Sequence, residues 1–213
     1  MTPRVLRAGG RPAKPWKNGG GVTREIASWP ESAGTASTSS PTGPDSPTGP
    51  DSATGPGGFD GFDWRISLAE VVADGPFSVF PGVDRTLTVV EGAGLDLTVD
   101  GGRRIGAERY APLRFPGDQP ADCVLRAGPV VNLNVMCRRG RTTAVIAIVR
   151  GSRQLVVPPG ATVVAVALEG PTALGDSILA RHDAAVLTPA EPGAGPATLR
   201  TGGRAALVTL RLA

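Results

Sequence analysis

Phe62-Asp-Trp-Arg-Ile-Ser-Leu68 alternates strictly, with Phe62, Trp64, Ile66 and Leu68 on one side and Asp63, Arg65 and Ser67 on the other. A period of two marks a strand half-buried in a sheet. The same reading extends outward from this stretch. Val131, Leu133, Val135 and Cys137 alternate with Asn132, Asn134, Met136 and Arg138. Residues 85–90 and 95–99 flank Glu91-Gly-Ala-Gly94, which predicts a hairpin with a glycine-supported turn. Asp100-Gly101 marks the next turn, and further strands are expected over 143–149, 154–157, 163–168, 184–187 and 206–212. No stretch of about twelve residues carries an amphipathic helix. Short strands recurring roughly every 8–12 residues predict an all-β protein of antiparallel barrels or jelly rolls. The chain of 213 residues divides on this reading into two small modules, 1–140 and 141–213.

One segment stands apart. From Ser40 the chain reads SPTGPD, from Ser46 SPTGPD again, and from Ser52 SATGPG. The repeat has no large apolar residue whose burial would offset the entropy of ordering it. A flexible Pro/Gly/Ser/Thr-rich insertion is expected over 31–61, joining two strands.

Composition excludes several function classes. Lys and Arg number 22 against 19 Asp and Glu, a formal charge of +3, which leaves no strong electrostatic footprint for nucleic acid. The longest apolar runs, 144–149 and 163–168, fall far short of the ~20 residues of a membrane helix. The N-terminal stretch shows no apolar leader region, so a cytoplasmic protein with reduced thiols is expected. Cys123 and Cys137 make neither a disulfide scaffold nor a Cys-based zinc site. His182 is the only histidine, which denies the chain a His-rich metal centre and leaves a triad nothing but the run Arg181-His182-Asp183. A surface turn is the plainer role for that run. No metal or cofactor is expected.

Chemistry-bearing residues concentrate in a few places. Both lysines and Asn18 lie in Lys14-Pro-Trp-Lys-Asn-Gly-Gly-Gly21, in a chain where Arg otherwise replaces Lys. Glycines there allow a close approach of backbone to ligand, Lys17 adds a charge, and Asn18 both donates and accepts. The other asparagines, Asn132 and Asn134, share one strand face, as do Arg65 and Ser67 on theirs. Asp84 beside Arg85 reads either as a ligand-orienting pair or as a structural one. In a small barrel such inward polar faces can line a ligand cavity. Arg65, Arg85 and Lys17 would pair ligand carboxylates; Asn18, Ser67 and Asn134 would fix polar groups; Trp16 and Phe77 would form apolar walls.

The segments PWKNGGGVTREIA, FDWRISLAEV, DGPFSVFPGVDRTLTVVEGAG, FPGD and GPVVNLNVMCRRG, in order over about residues 15–140, resemble the HutD/Ves family. Beyond residue 140 only the strand pattern is similar. The resemblance implies a bicupin and an association with bacterial histidine utilisation. It further implies a restraint on pathway induction through binding of an intermediate such as N-formylglutamate, with no firmly attached enzymatic activity. Cupins with metals use His pairs plus a carboxylate, and no His stands near 80–91, so a metal-free cupin is expected. Asn132 departs from the family, which has an acidic residue before Leu-Asn-Val-Met.

Three functions are weighed. A metabolite-binding regulator or buffer, with a small carboxylate as partner, fits the charge balance of the candidate site. A metal-independent deformylase, isomerase or lyase on a related acid would need Asp84 as general base. A protein- or nucleic-acid-associated regulator would rely on Arg138, Arg139 and Arg141, without any recognition-helix pattern to support it. Homodimers are common among cupin-like proteins, and by analogy a homodimer is one assembly open to this chain.

Overall fold

The structure, a computed structural model, describes residues 3–30, 61–189 and 196–213. Apart from Gly61, the insertion expected over 31–61 lies outside the described residues. Among those residues the protein is all-β, with a single turn of 3-10 helix at Ala8–Gly10. Among the described residues no helix is long and apolar enough to cross a membrane.

Three antiparallel sheets account for the strands. The first runs β2 (Lys14–Pro15), β3 (Gly21–Trp29), β4 (Trp64–Val71), β11 (Val130–Arg138), β6 (Val83–Glu91) and β9 (Leu113–Pro116). The second runs β5 (Gly75–Phe77), β10 (Ala121–Leu125), β7 (Leu95–Val99) and β8 (Ile105–Ala107). The third runs β1 (Arg4–Leu6), β16 (Ala184–Leu187), β13 (Ala161–Glu169), β17 (Ala197–Leu212), β14 (Thr172–Leu174) and β15 (Ser177–Leu179), with β12 (Thr142–Leu155) also on β17. The N-terminal strand, from the first 140 residues, thus completes the sheet built from the last 72 or so.

The hairpin expected around Gly92 and Gly94 does not form. β6 pairs with β11 and β9, whereas β7 pairs with β10 and β8. Glu91–Gly94 is instead a corner where the chain passes from one sheet to the other, as a jelly roll requires. Gly92 (φ +90°) and Gly94 (φ +101°) hold that corner, where a Cβ would meet Pro129 O at 2.6 Å or Ala107 O at 2.8 Å. The segments 143–149 and 154–157 likewise join into one long strand, β12, through a bulge near Gly151.

Sheet one has two buried faces. Leu87, Val89, Phe115 and Val130 pack against Leu95, Leu97, Ala121 and Cys123 of sheet two and form the apolar part of a first barrel. On the reverse, Trp64, Ile66, Leu68, Leu133 and Val135 pack against Val164, Val166, Leu168, Val208 and Leu210 of sheet three. The two halves of the chain therefore share one core. Polar contacts pin its rim: Tyr110 donates to Glu169 Oε1 at 2.5 Å, and its ring centre is 4.7 Å from the Arg109 guanidinium and 4.2 Å from that of Arg204. Across the same junction Glu91 Oε1 faces Arg181 at 2.6 Å and His182 Nε2 at 2.8 Å.

Two outcomes follow from this junction. Leu133, fully buried in the shared core, should cost about 2–5 kcal/mol on truncation to Ala, and calorimetry should still show one unfolding transition. Two separate transitions would mean that the halves fold independently. For His182, burial lowers the imidazole below its usual range; Glu91 opposes that shift, while Arg181 and Arg11 add to it. The unfolded chain then binds the proton more readily, so this share of stability is full above about pH 6.5 and declines as the pH falls below it. His182→Asn, which suits the positive φ of +68° there, should flatten the fall in melting temperature between about pH 7.5 and 5.5. An unchanged slope in that variant would contradict the assignment.

Candidate functional site

Alternation on three neighbouring strands gathers the polar residues of sheet one inside the first barrel. Arg65 of β4 lies opposite Met136 of β11, and Met136 lies opposite Arg85 of β6. Two residues along, Ser67 lies opposite Asn134, with Leu87 beyond it. A bulge between Val131 and Asn132 leaves Asn132 opposite Val89. Ser67 and Asn132 are each 2% exposed, Asn134 and Arg85 each 6%. The apolar residues of the barrel thus give way at one end to a buried polar surface with two cations.

Both cations lie against aromatic rings. The Arg85 guanidinium lies 5.3 Å from the ring centre of Phe77, 5.2 Å from Phe80 and 4.9 Å from Phe115. Arg65 lies 4.9 Å from Phe62 and 5.5 Å from Phe80. Such contacts stabilise a cation by ~0.5–2 kcal/mol each. Arg85 Nη1 donates to Ser78 O at 3.1 Å and Arg65 Nη2 points at Met136 Sδ at 3.3 Å. The Nε atoms of both arginines and Oδ1 of Asn134 are buried without a partner. Burial first, and the neighbouring charge of Arg65 second, bring the Arg85 guanidinium down to about 9. Arg65 is lowered by burial too, and the charge of Glu25 works against that shift. Both remain cations at neutral pH, and a bound anion would relieve both effects.

The other residues singled out in the sequence fall in different places. Trp16 donates from Nε1 to Thr23 Oγ1 at 2.8 Å and meets Phe77 edge-on at 6.0 Å, so the two rings are in contact. Asn18 is committed to its own loop: Oδ1 accepts from Gly20 N at 3.0 Å, and Nδ2 reaches Pro76 O at 3.4 Å. That bond ties the loop to the strand carrying Phe77. Lys17 is exposed. Asp84, one residue from Arg85, points to the opposite face of the sheet, where Arg139 Nη2 binds its Oδ1 at 2.7 Å and also reaches Asp118. Asp84 and Arg85 therefore do not act as a pair on one ligand. Arg138 and Arg141 are engaged with Phe62 O and Asp63, respectively.

Phe62, Phe80, Phe115 and Met136 were not singled out in the sequence, although a signal was present. The chain has five phenylalanines, and all four that are described stack on Arg65 or Arg85. Among the described residues no three His, Cys, Asp or Glu side chains converge as metal ligands.

Comparison with known proteins places this geometry. The HutD family model matches residues 52–207. An uncharacterized 21.2 kDa protein in the hutC 3′ region of Pseudomonas putida is 33% identical over 132 residues, 62% of this chain and 56% of that protein. Protein Ves of Cronobacter sakazakii is 31% identical over 134 residues, 62% of this chain and 59% of its own. The matched stretch thus spans little more than half the length of these curated relatives. The solved structure of HutD from Pseudomonas fluorescens SBW25 (formate condition) superposes with a TM-score of 0.77 at 29% identity, covering 100% of both chains. Bacterial pirin YhhW from Escherichia coli, solved in complex with nickel(II), shares 8% identity over 98% of each chain at a TM-score of 0.61, a likeness of fold alone. With its family model matching across both sheets of the shared core and a HutD structure covering its whole length, the chain belongs to the HutD family.

Proposed function

We propose that the first barrel binds a small carboxylate metabolite, a histidine-degradation intermediate such as N-formylglutamate, and that the protein regulates or buffers histidine utilisation through that binding. One observation carries the reading: two adjacent guanidiniums, Arg85 buried and Arg65 half-buried, each keep a buried Nε with no partner. A buried cation with no counter-ion lowers stability, and a carboxylate supplies charge and acceptors together. Asn134 Oδ1 offers a buried acceptor for an N–H, which an N-formyl amide carries. The location of the Pseudomonas putida relative in a hutC region supports the pathway. This reading carries a cytoplasmic location with it.

An enzyme acting on a related acid without a metal requires a general base in the barrel. Asp84, the candidate for that role, is turned to the other face and ion-paired to Arg139. Binding is therefore the reading adopted.

A thermal-shift comparison of N-formylglutamate, glutamate, urocanate and formate tests it. A ligand at ~100 times its Kd stabilises the fold by about 2.7 kcal/mol, a visible rise in melting temperature. N-formylglutamate should produce that rise, and Arg85→Met should abolish it. Because Met removes an unpaired buried charge, the variant itself should melt no lower than the parent by more than about 1 kcal/mol. Asp84→Asn should keep the ligand shift intact. A shift that survives Arg85→Met, or the absence of any shift at millimolar ligand, would overturn the proposal.

A further inference from the structure

We propose that β12 is a homodimer seam: two copies of the chain pair this strand antiparallel, edge to edge, about a two-fold axis through Val145. The inference is independent of the ligand. A sheet edge carries unpaired N–H and C=O groups, and folded proteins keep such edges short or interrupt them with charge and proline. Among the described residues the other strands at sheet ends obey that rule. β1, β5, β8 and β15 have 3 residues each, β9 has 4 and β2 has 2. Arg4, Lys14, Pro15, Pro76, Arg114 and Pro116 stand in them. β12 is the exception. It has 14 residues, and its one strand partner among the described residues is β17. The stretch Thr142-Thr-Ala-Val-Ile-Ala-Ile-Val149 contains no charge, proline or glycine.

The pattern of that stretch selects a second copy of itself. Residues directly opposite in an antiparallel ladder share a face of the sheet. An axis through Val145 therefore sets Val145 against Val145 of the partner subunit, Thr143 against Ala147 and Ala144 against Ile146. On one face Thr143, Val145 and Ala147 are exposed, Val145 by 69%, and the two copies cover each other there. On the other face Ala144, Ile146 and Ile148 are half-buried against the shared core. Ala144 borders a crevice of about 190 Å³ whose far side is Thr86, Pro112 and Arg114 at the edge of sheet one. The small Ala144 leaves that crevice open at the position which Ile146 of the partner subunit takes in the paired ladder. The two-fold axis repeats the same fit on the other copy.

Charge and backbone fix the register. The bulge between Val149 and Gly151 bends the strand and ends the regular stretch. Arg150 and Arg153 lie beyond Val149, and the axis through Val145 leaves both unopposed by any residue of β12. An axis through Ala147 would set Arg153 against Arg141, a like-charge pair. A charged peptide, in turn, finds no counter-charge along 142–149. The neutral edge is matched best by its own sequence reversed.

Sedimentation velocity and hydrogen–deuterium exchange on the full chain test the seam. The parent should sediment as a dimer at micromolar concentration, with slow exchange at the amides of 142–149. Val145→Lys sets two ammonium groups opposite each other, on a side chain exposed enough for the fold to tolerate it. That variant should sediment as a monomer at the same concentration, with fast exchange over 142–149. Val145→Thr, β-branched and uncharged, should stay dimeric. Ile178→Lys, which charges another exposed apolar residue (57%) on the short end strand β15, should stay dimeric too. Melting curves confirm that each variant is folded. A parent that is monomeric at every concentration would overturn the proposal, whether its 142–149 amides exchange slowly, covered by its own chain, or fast. A dimer that survives Val145→Lys, or is lost as readily in Ile178→Lys, would assign the contact to another surface and overturn it as well.

Discussion

Two like charges set side by side, Arg85 buried and Arg65 half-buried, are the constraint around which the first barrel is organised. Arg65 and Arg85 are one register step on either side of Met136, and in a low-dielectric interior they repel each other and forgo hydration. Around them stands a set of aromatic faces drawn from three stretches of chain, at positions 62, 77 and 80, and 115. Ring faces stabilise a cation without neutralising it. The charge therefore remains available to an incoming anion, which would not be so had the same positions supplied carboxylates. Under the proposed reading, fold stability and binding pull in opposite directions at Arg85.

The two halves divide the work. The interior of the second is almost wholly apolar, built on residues such as Val163, Ala165, Leu174, Leu179, Leu187 and Leu199. Its buried threonines, Thr172 and Thr201, bond to each other at 3.1 Å. Its buried carboxylate, Asp183, is taken up by Arg7 Nη1 at 2.7 Å. Its role is mechanical: sheet three covers the reverse face of sheet one, and burial of Ile66, Leu133 and Val135 against Val164, Val166 and Val208 fixes the strands whose other faces carry Arg65 and Asn134. The position of Arg65 and Asn134 thus depends on the packing beneath them.

Much of this was legible in the sequence, for identifiable reasons. A period of two on 62–68 and 131–138 names the strands, and it also separates Ser67 and Asn134 from Ile66 and Val135. Both faces are buried, however, one by the other half and one by the barrel, so alternation alone does not say which face meets a ligand. Asp84 and Arg85 illustrate the limit: adjacent in sequence, they occupy opposite faces, and one is an ion pair at a rim while the other is a buried cation. Gly92 and Gly94 illustrate another. Positive φ is legible from glycine, but whether the turn closes a hairpin or carries the chain to another sheet depends on contacts with Pro129 and Ala107, distant in sequence. The aromatic cage was missed because its members, Phe62, Phe77, Phe80 and Phe115, become neighbours only after the barrel closes.

The central claim, that the two interior guanidiniums are the anion site, is tested most directly by NMR of the arginine Nε–Hε groups during titration with N-formylglutamate. Assignment by Arg65→Lys and Arg85→Lys would single out the two buried signals. The account predicts that both move together, saturably, while the signals of surface arginines such as Arg139 stay in place. Buried signals that remain still while the ligand binds would contradict it.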